Sequence, residues 1–159
     1  MFNKIDKKKP ILIATHNPGK AKEFKKLFSK LKIKTMFSAD LGIEEPEETG
    51  NSFKENSILK AKSGISSGLN VIADDSGLCV KSLDGKPGIY SARWTKKYGG
   101  WEGAMKKIYE ELLKTNKKDF SAKYICCLTI AWQNGDLISY NGEIKGKISW
   151  PPIGKKGFG

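Results

Sequence analysis

Arginine is almost missing from this chain: Arg93 is the only one among 29 basic residues, so lysine carries nearly all of the formal net charge of +12. Readers of nucleic acid lean on the planar arginine fork for bidentate contacts to phosphates and bases, which the point charge of lysine does not offer. The lysines are spread over helix faces and loops and read as ordinary solvated surface, so a nucleic-acid partner is not expected. A basic module for single strands, using lysines with exposed Trp94 and Trp101, is the alternative that composition leaves open. Histidine is limited to His16, which excludes a two-histidine metal motif. Cys79, Cys126 and Cys127 are odd in number, two of them are adjacent, and none forms a C-x-x-C pair, so neither a disulfide framework nor a zinc site is indicated. Any metal should therefore be held by carboxylates. No apolar run approaches the ~18 residues of a membrane span, and the lysine-rich start at Lys7, Lys8 and Lys9 lacks the apolar stretch of a secretion signal. No membrane partner and a cytoplasmic location are expected.

What is present suits one globular domain. The chain has 159 residues, 38% of them hydrophobic, enough to build a core, and no internal repeat or low-complexity linker divides it. Ile11 to Thr15 reads as a short buried strand. Asn17 is a good helix N-cap and Pro18 suits the first helical position, and Ala21, Phe24, Leu27, Phe28 and Leu31 recur at helical spacing. A weaker strand over 33–37 leads to an acidic loop holding Glu44, Glu45, Glu47 and Glu48, and Ser52 with Glu55 has the capping-box pattern of a second helix reaching towards Ser67. Val71, Ile72 and Ala73 form a core strand that ends at Asp74-Asp75-Ser76-Gly77, and Leu78, Cys79 and Val80 resume an apolar run. Trp101, Met105, Ile108, Tyr109, Leu112 and Leu113 mark a third helix. Residues 122–132 and 137–144 flank Asn134-Gly135 as a hairpin, with the type I′ turn that Asn-Gly favours.

Three places could carry chemistry. Thr15 to Lys20 joins a buried strand to a helix start, where backbone N–H groups and the helix dipole favour an anion and Lys20 adds a positive charge; a capped helix with no ligand fits the same residues. Asp74 and Asp75 are turn formers or else ligands of a hard cation such as Mg²⁺, which takes a few carboxylates plus phosphate oxygens. Glu47 and Glu48 offer further carboxylates or simply a solvated acidic loop before a helix N-terminus. Lys60 could turn inward to a phosphate, although most helix lysines are solvated. Packing of Tyr90 and Trp94 into the core is the economical account of the segment before and after Arg93.

Taken together, Thr15-His16-Asn17-Pro18-Gly19-Lys20, Glu47-Glu48-Thr49-Gly50, Glu55-Asn56, Ile58-Leu59-Lys60-Ala61, Ile72 to Leu78, Pro87 to Arg93 and Gly157-Phe158-Gly159 occur in an ordered set. The set resembles the inosine/xanthosine triphosphate pyrophosphatase family. The resemblance implies an α/β fold with a mixed, elongated central sheet flanked by helices, two lobes around a nucleotide cleft, and a homodimer. It implies Mg²⁺-dependent hydrolysis of dITP, ITP and XTP to monophosphate and pyrophosphate, which keeps non-standard purines out of nucleic acid. Carried over by position, Thr15, His16, Asn17, Pro18, Gly19 and Lys20 would hold the triphosphate, and Asp75 would bind metal and accept a proton. Ser76, Phe158 and Gly159 would contact substrate, Lys60 would reach phosphate, and Glu47 would be the second metal carboxylate with Glu48 as the alternative. Family members continue after Phe-Gly with a Tyr-Asp-Pro segment, a lysine and a Ser-His-Arg segment that grip the base. The expectation is accordingly a single domain over 1–159 that lacks this carboxy-terminal segment, with poor discrimination of the purine.

Overall fold

The computed structural model describes residues 4–116 and 119–154. Among these residues five strands lie in the order β2-β1-β3-β4-β5: β1 is Ile11–Ile13, β2 Thr35–Phe37, β3 Asn70–Val80, β4 Ser121–Ala131 and β5 Leu137–Lys147. β1 is parallel to both β2 and β3, with Leu12 opposite Met36 on one side and Val71 on the other. β4 and β5 are neighbours joined by only Trp132 to Asp136, too short for a parallel crossover, so the sheet is mixed as expected. Among the described residues four α-helices accompany it: α1 Pro18–Lys30, α2 Phe53–Ser63, α3 Ser91–Lys97 and α4 Trp101–Lys114. The chain divides into two compact units, the first comprising the described residues up to Asp75 with Cys127–Asn141, the second Ser76–Cys126 and the described residues from Gly142.

In the first unit the period-2 alternation of strands sorts side chains to two faces. Ile11 and Ile13 of β1 and Ile72 of β3 pack with Phe28 of α1 and with Ile33, while Leu12, Val71 and Ala73 pack with Ala61 of α2. A helix therefore covers each face. The apolar stripe of α1 is narrower than its spacing suggests, since Phe28 is buried but Leu27 and Leu31 are exposed. α2 stops at Ser63 rather than near Ser67. A β-carbon on Gly64 would come within 2.8 Å of Leu12 Cδ2, and a separate 3-10 turn, Ile65–Ser67, follows.

Two sequence expectations need correction. β3 does not end at Asp74; it runs unbroken to Val80, and both aspartates are buried in its middle. Polar residues usually end a buried run, but here the strand continues beyond Ile72, where its register with β1 ends, and its carboxylates have lysine partners on the two faces. The hairpin turn is not type I′, which needs positive φ at both central residues. Among Trp132 to Asp136 only Gly135 has one, at 90°; Gly135 N donates to Trp132 O and Asp136 N to Asn134 Oδ1, giving a type I turn closed by a left-handed glycine.

In the second unit, Val80, Ile108 and Leu112 form a core joined by Leu78, Leu83, Trp94, Phe120, Ala122 and Ile148. Tyr109 of α4 stacks on Trp150. Trp94 is thus a core residue, whereas Tyr90 is exposed with the Arg93 guanidinium 5.0 Å over its ring.

Candidate active site

The first unit gathers most of the residues singled out above. Asn17 caps α1 as its sequence suggests: its Oδ1 accepts from Gly19 N at 2.9 Å and Lys20 N at 3.2 Å, and Pro18 fills the first helical position. Asn17 N donates to Thr15 Oγ1, so the loop is fastened at both ends. The cap takes two of the amides that the sequence left for an anion, and Pro18 has none to give. Affinity for phosphate at this turn must rest chiefly on side chains, Lys20 foremost. His16 is exposed, and its Nε2 lies 2.8 Å from Ile43 O, which ties the loop to the segment entering the acidic stretch.

Alternation along β3 sends the adjacent aspartates to opposite faces. Asp74 falls on the α1 side, where its Oδ2 accepts from Lys20 Nζ at 2.7 Å. Asp75 falls on the α2 side, where Oδ2 accepts from Asn56 Nδ2 at 3.1 Å and Oδ1 lies 3.6 Å from Lys60 Nζ. The Asp-Asp pair is therefore not one bidentate site but two single carboxylates, each facing a lysine on a different helix.

Lys60 is 7% exposed, so the solvated reading of this helix lysine does not hold. Its Nζ donates to Glu48 Oε1 at 2.7 Å, bringing Glu48 and Asp75 to one ammonium. Burial works against that ammonium, but the charges of Asp75 and Glu48 outweigh it and raise its pKa. Burial pushes the Asp75 carboxyl above the usual carboxylate range, with Lys60 opposing and Glu48 adding to the shift. A carboxyl shifted this way is a better proton acceptor near neutral pH. Glu47 is exposed and its carbonyl accepts from Thr49 N, whereas Glu48 is half-buried and its carboxylate reaches the Lys60 ammonium that also faces Asp75.

The capping box at the start of α2 forms with a shift. Ser52 Oγ accepts from Glu55 N, while Glu55 Oε2 reaches back to Asn51 N. One residue on, Asn56 is fully buried and its Oδ1 accepts from Gly50 N at 2.9 Å. Asn56 was present in the motifs without a role, and Asp74 only as a turn former or cation ligand beside Asp75; the strand period would have separated the aspartates, and the i, i+4 spacing of Asn56 and Lys60 would have placed both on one helix face.

Among the described residues no group of three histidine, cysteine, aspartate or glutamate side chains could enclose a metal. What the site offers is two carboxylates around a position now held by an ammonium, an all-oxygen donor set. That fits Mg²⁺, which binds through one or two carboxylates and completes its shell with water and phosphate. Three carboxylates against two lysines also leave the cluster with a formal surplus of one negative charge. Ser76 belongs to the second unit, where its Oγ lies 3.4 Å from Tyr124 Oη. Phe158 and Gly159 lie outside the described residues. No helix among the described residues is long and apolar enough to cross a membrane.

Residues 11–159 match the sequence profile of the Ham1 family. A dITP/XTP pyrophosphatase of Zymomonas mobilis is 40% identical over 151 residues, which cover 94% of this chain and 72% of the relative. A protein of the same description from Rhodopseudomonas palustris is 41% identical over 154 residues, 94% and 73% of the two chains. Of solved structures, a HAM1 protein from Coxiella burnetii superposes with a TM-score of 0.82 at 32% identity, covering 94% of this chain and 78% of that one. A nucleoside-triphosphatase, dITP/XTP pyrophosphatase, from Mycobacterium abscessus gives 0.78 at 31% identity, with 95% and 80% covered.

Proposed function

The chain belongs to the Ham1 family, and from that premise we infer that it is a nucleoside-triphosphate pyrophosphatase acting on non-standard purine nucleotides such as dITP and XTP. It releases the monophosphate and pyrophosphate, which removes such bases from the precursors of nucleic acid. The observation that carries the chemical part is the approach of Glu48 and Asp75 to the single ammonium of Lys60, beside a capped helix whose Lys20 is held by Asp74.

The cation assigned here is Mg²⁺, held by Asp75 and by Glu48 in place of Glu47. When bound it neutralises charge on phosphate oxygens and makes a coordinated water more acidic. Lys20, steadied by Asp74, and the Nδ2 donors of Asn17 grip the phosphates, with Thr15, His16, Pro18 and Gly19 shaping that turn. Lys60, which lies against both carboxylates, is assigned a further positive charge for the phosphate chain. Ser76, Phe158 and Gly159 are assigned to the remaining substrate contacts. In the reaction the water oxygen bonds to the α-phosphorus, the bond from that phosphorus to the α,β-bridging oxygen breaks, and its electron pair leaves with pyrophosphate. The proton lost by water goes to Asp75. Orientation of water and neutralisation of the leaving group carry the rate.

The deciding experiment is pyrophosphate release from dITP, XTP and dGTP with and without Mg²⁺. Turnover of dITP that requires the cation is expected; a chain that releases no pyrophosphate from any of them overturns the reading. The homodimer implied by the resemblance belongs to the same reading and is checked by sedimentation of the chain.

A further inference from the structure

Asn56 sits in the second turn of α2 with no exposed surface, and both ends of its carboxamide are used. Gly50 N–H can only donate, so the oxygen must face it, at 2.9 Å; the nitrogen is thereby turned to Asp75 Oδ2 at 3.1 Å. Gly50 lies two residues beyond Glu48 on the acidic loop, and Asp75 lies on β3. One side chain thus fastens the loop that carries one carboxylate to the strand that carries the other. Lys60, one turn further along the same face of α2, spans the same pair. The helix is itself fixed next to Asn56, because Ser57 Oγ lies 2.6 Å from Thr129 Oγ1 of β4. Nothing larger than glycine suits position 50: a β-carbon there would come within 2.6 Å of Asn56 Oδ1 and of Glu55 Cβ.

We propose that Asn56 is a positioning residue for the Glu48–Asp75 site, holding the two carboxylates at the separation and orientation in which they take up a divalent cation. The proposal rests on the pyrophosphatase reading and extends it to a residue that touches neither substrate nor cation. A buried asparagine kept only for stability would affect melting and nothing else. A positioning asparagine alters how the carboxylates present their oxygens, and outer partners of metal ligands are worth about 10- to 100-fold in affinity or activity.

The test compares the parent, Asn56→Ala and Gly50→Ala, the last pressing on Asn56 from outside without removing it. Mn²⁺ binding without nucleotide is read from the electron paramagnetic signal of the free ion, together with melting temperature and the steady-state constants for dITP. In both variants Mn²⁺ affinity should fall ~10-fold or more, and kcat should fall similarly while KM for dITP changes less than about 3-fold. A folded Asn56→Ala with parental Mn²⁺ affinity and parental kcat overturns the proposal. Should Asn56→Ala not fold, Gly50→Ala decides by the same two readouts. Failure of the functional reading looks different, because a parent that binds Mn²⁺ but does not hydrolyse dITP sinks the activity while the binding comparison still judges Asn56. A parent that binds no Mn²⁺ without nucleotide overturns the proposal, whereas the functional reading falls only if no pyrophosphate is released.

Discussion

Replacing Lys60 by methionine keeps the length of the side chain and removes its charge from a place where two carboxylates depend on it. At 2.7 Å from Glu48 and 3.6 Å from Asp75 the gross attractions are ~6 and ~5 kcal/mol for an effective dielectric constant of about 20. Much of this is offset by several kcal/mol of desolvation for each buried ion. In the variant the attraction is lost while Asp75 remains buried, so the expected destabilisation is that of a broken buried pair, ~3–5 kcal/mol. For a chain of this size 1 kcal/mol corresponds to roughly 2–4 °C, which puts the fall in melting temperature at about 10 °C. Two further readouts follow from the same charges. Mg²⁺ should recover part of the loss, since a bound cation answers the same carboxylates. Because the pKa of Lys60 is raised in the fold, its contribution is complete below the ordinary lysine value and is lost only as pH climbs through the raised one. The ammonium's own contribution is therefore constant from about pH 6 to 9, while Asp75, pushed up by burial and no longer opposed by Lys60, takes up a proton more readily in the variant, so the gap should narrow as pH falls. Thermal unfolding followed by circular dichroism, with and without Mg²⁺, measures all of this. A Lys60→Met chain that melts with the parent in metal-free buffer refutes the account of the cluster.

Asp75→Asn should fold, being nearly isosteric, yet lose at least ~10²-fold in kcat for dITP in a pyrophosphate-release assay, because the proton acceptor and a cation ligand go together. Glu48→Gln should shift the Mg²⁺ titration of activity to higher concentration, whereas Glu47→Gln, at an exposed side chain, should leave it in place. Lys20→Ala should weaken inhibition by inorganic triphosphate and binding of dITP by the same factor, since a lysine on the phosphates does not read the base. Loss for dITP alone would contradict that placement. The same variant strands Asp74 in a buried position, so its melting temperature should fall as well.

The elements with a strong local signature were legible in the sequence. β1 is a continuous apolar run, Asn17 and Pro18 announce α1, and the spacing of Ile108 and Leu112 marks α4. Each is fixed by interactions within a few residues. α3 was missed because seven residues holding three basic side chains have no apolar period, and only Trp94 anchors them in the core. β3 was cut short at its aspartates because their burial depends on Lys20 and Lys60, which come from 54 and 15 positions away. Long-range compensation of this kind leaves no mark in a local window. For the site, the residue types were readable and their partners were not. Glu48 reaches Lys60 from a loop fastened through Asn56 and Gly50, neither of which declares itself by charge.

The alternation of β3 also explains why a chain with 29 basic and 17 acidic residues puts two aspartates side by side in its core. On one face of a sheet, adjacent carboxylates would repel and one would take up a proton. Pointed to opposite faces, each instead meets a lysine from the helix covering that face, and the strand between them fixes the two ion pairs in one frame. Asp74 thereby sets where the Lys20 charge stands at the start of α1, and on the proposed reading Asp75 sets where a cation stands against α2. A phosphate chain gripped by the first and neutralised at the second would be aligned by backbone hydrogen bonds in β3 and not by the flexible side chains alone. The precision that a displacement at phosphorus requires is then a property of the sheet, and Asn56 extends it to the acidic loop.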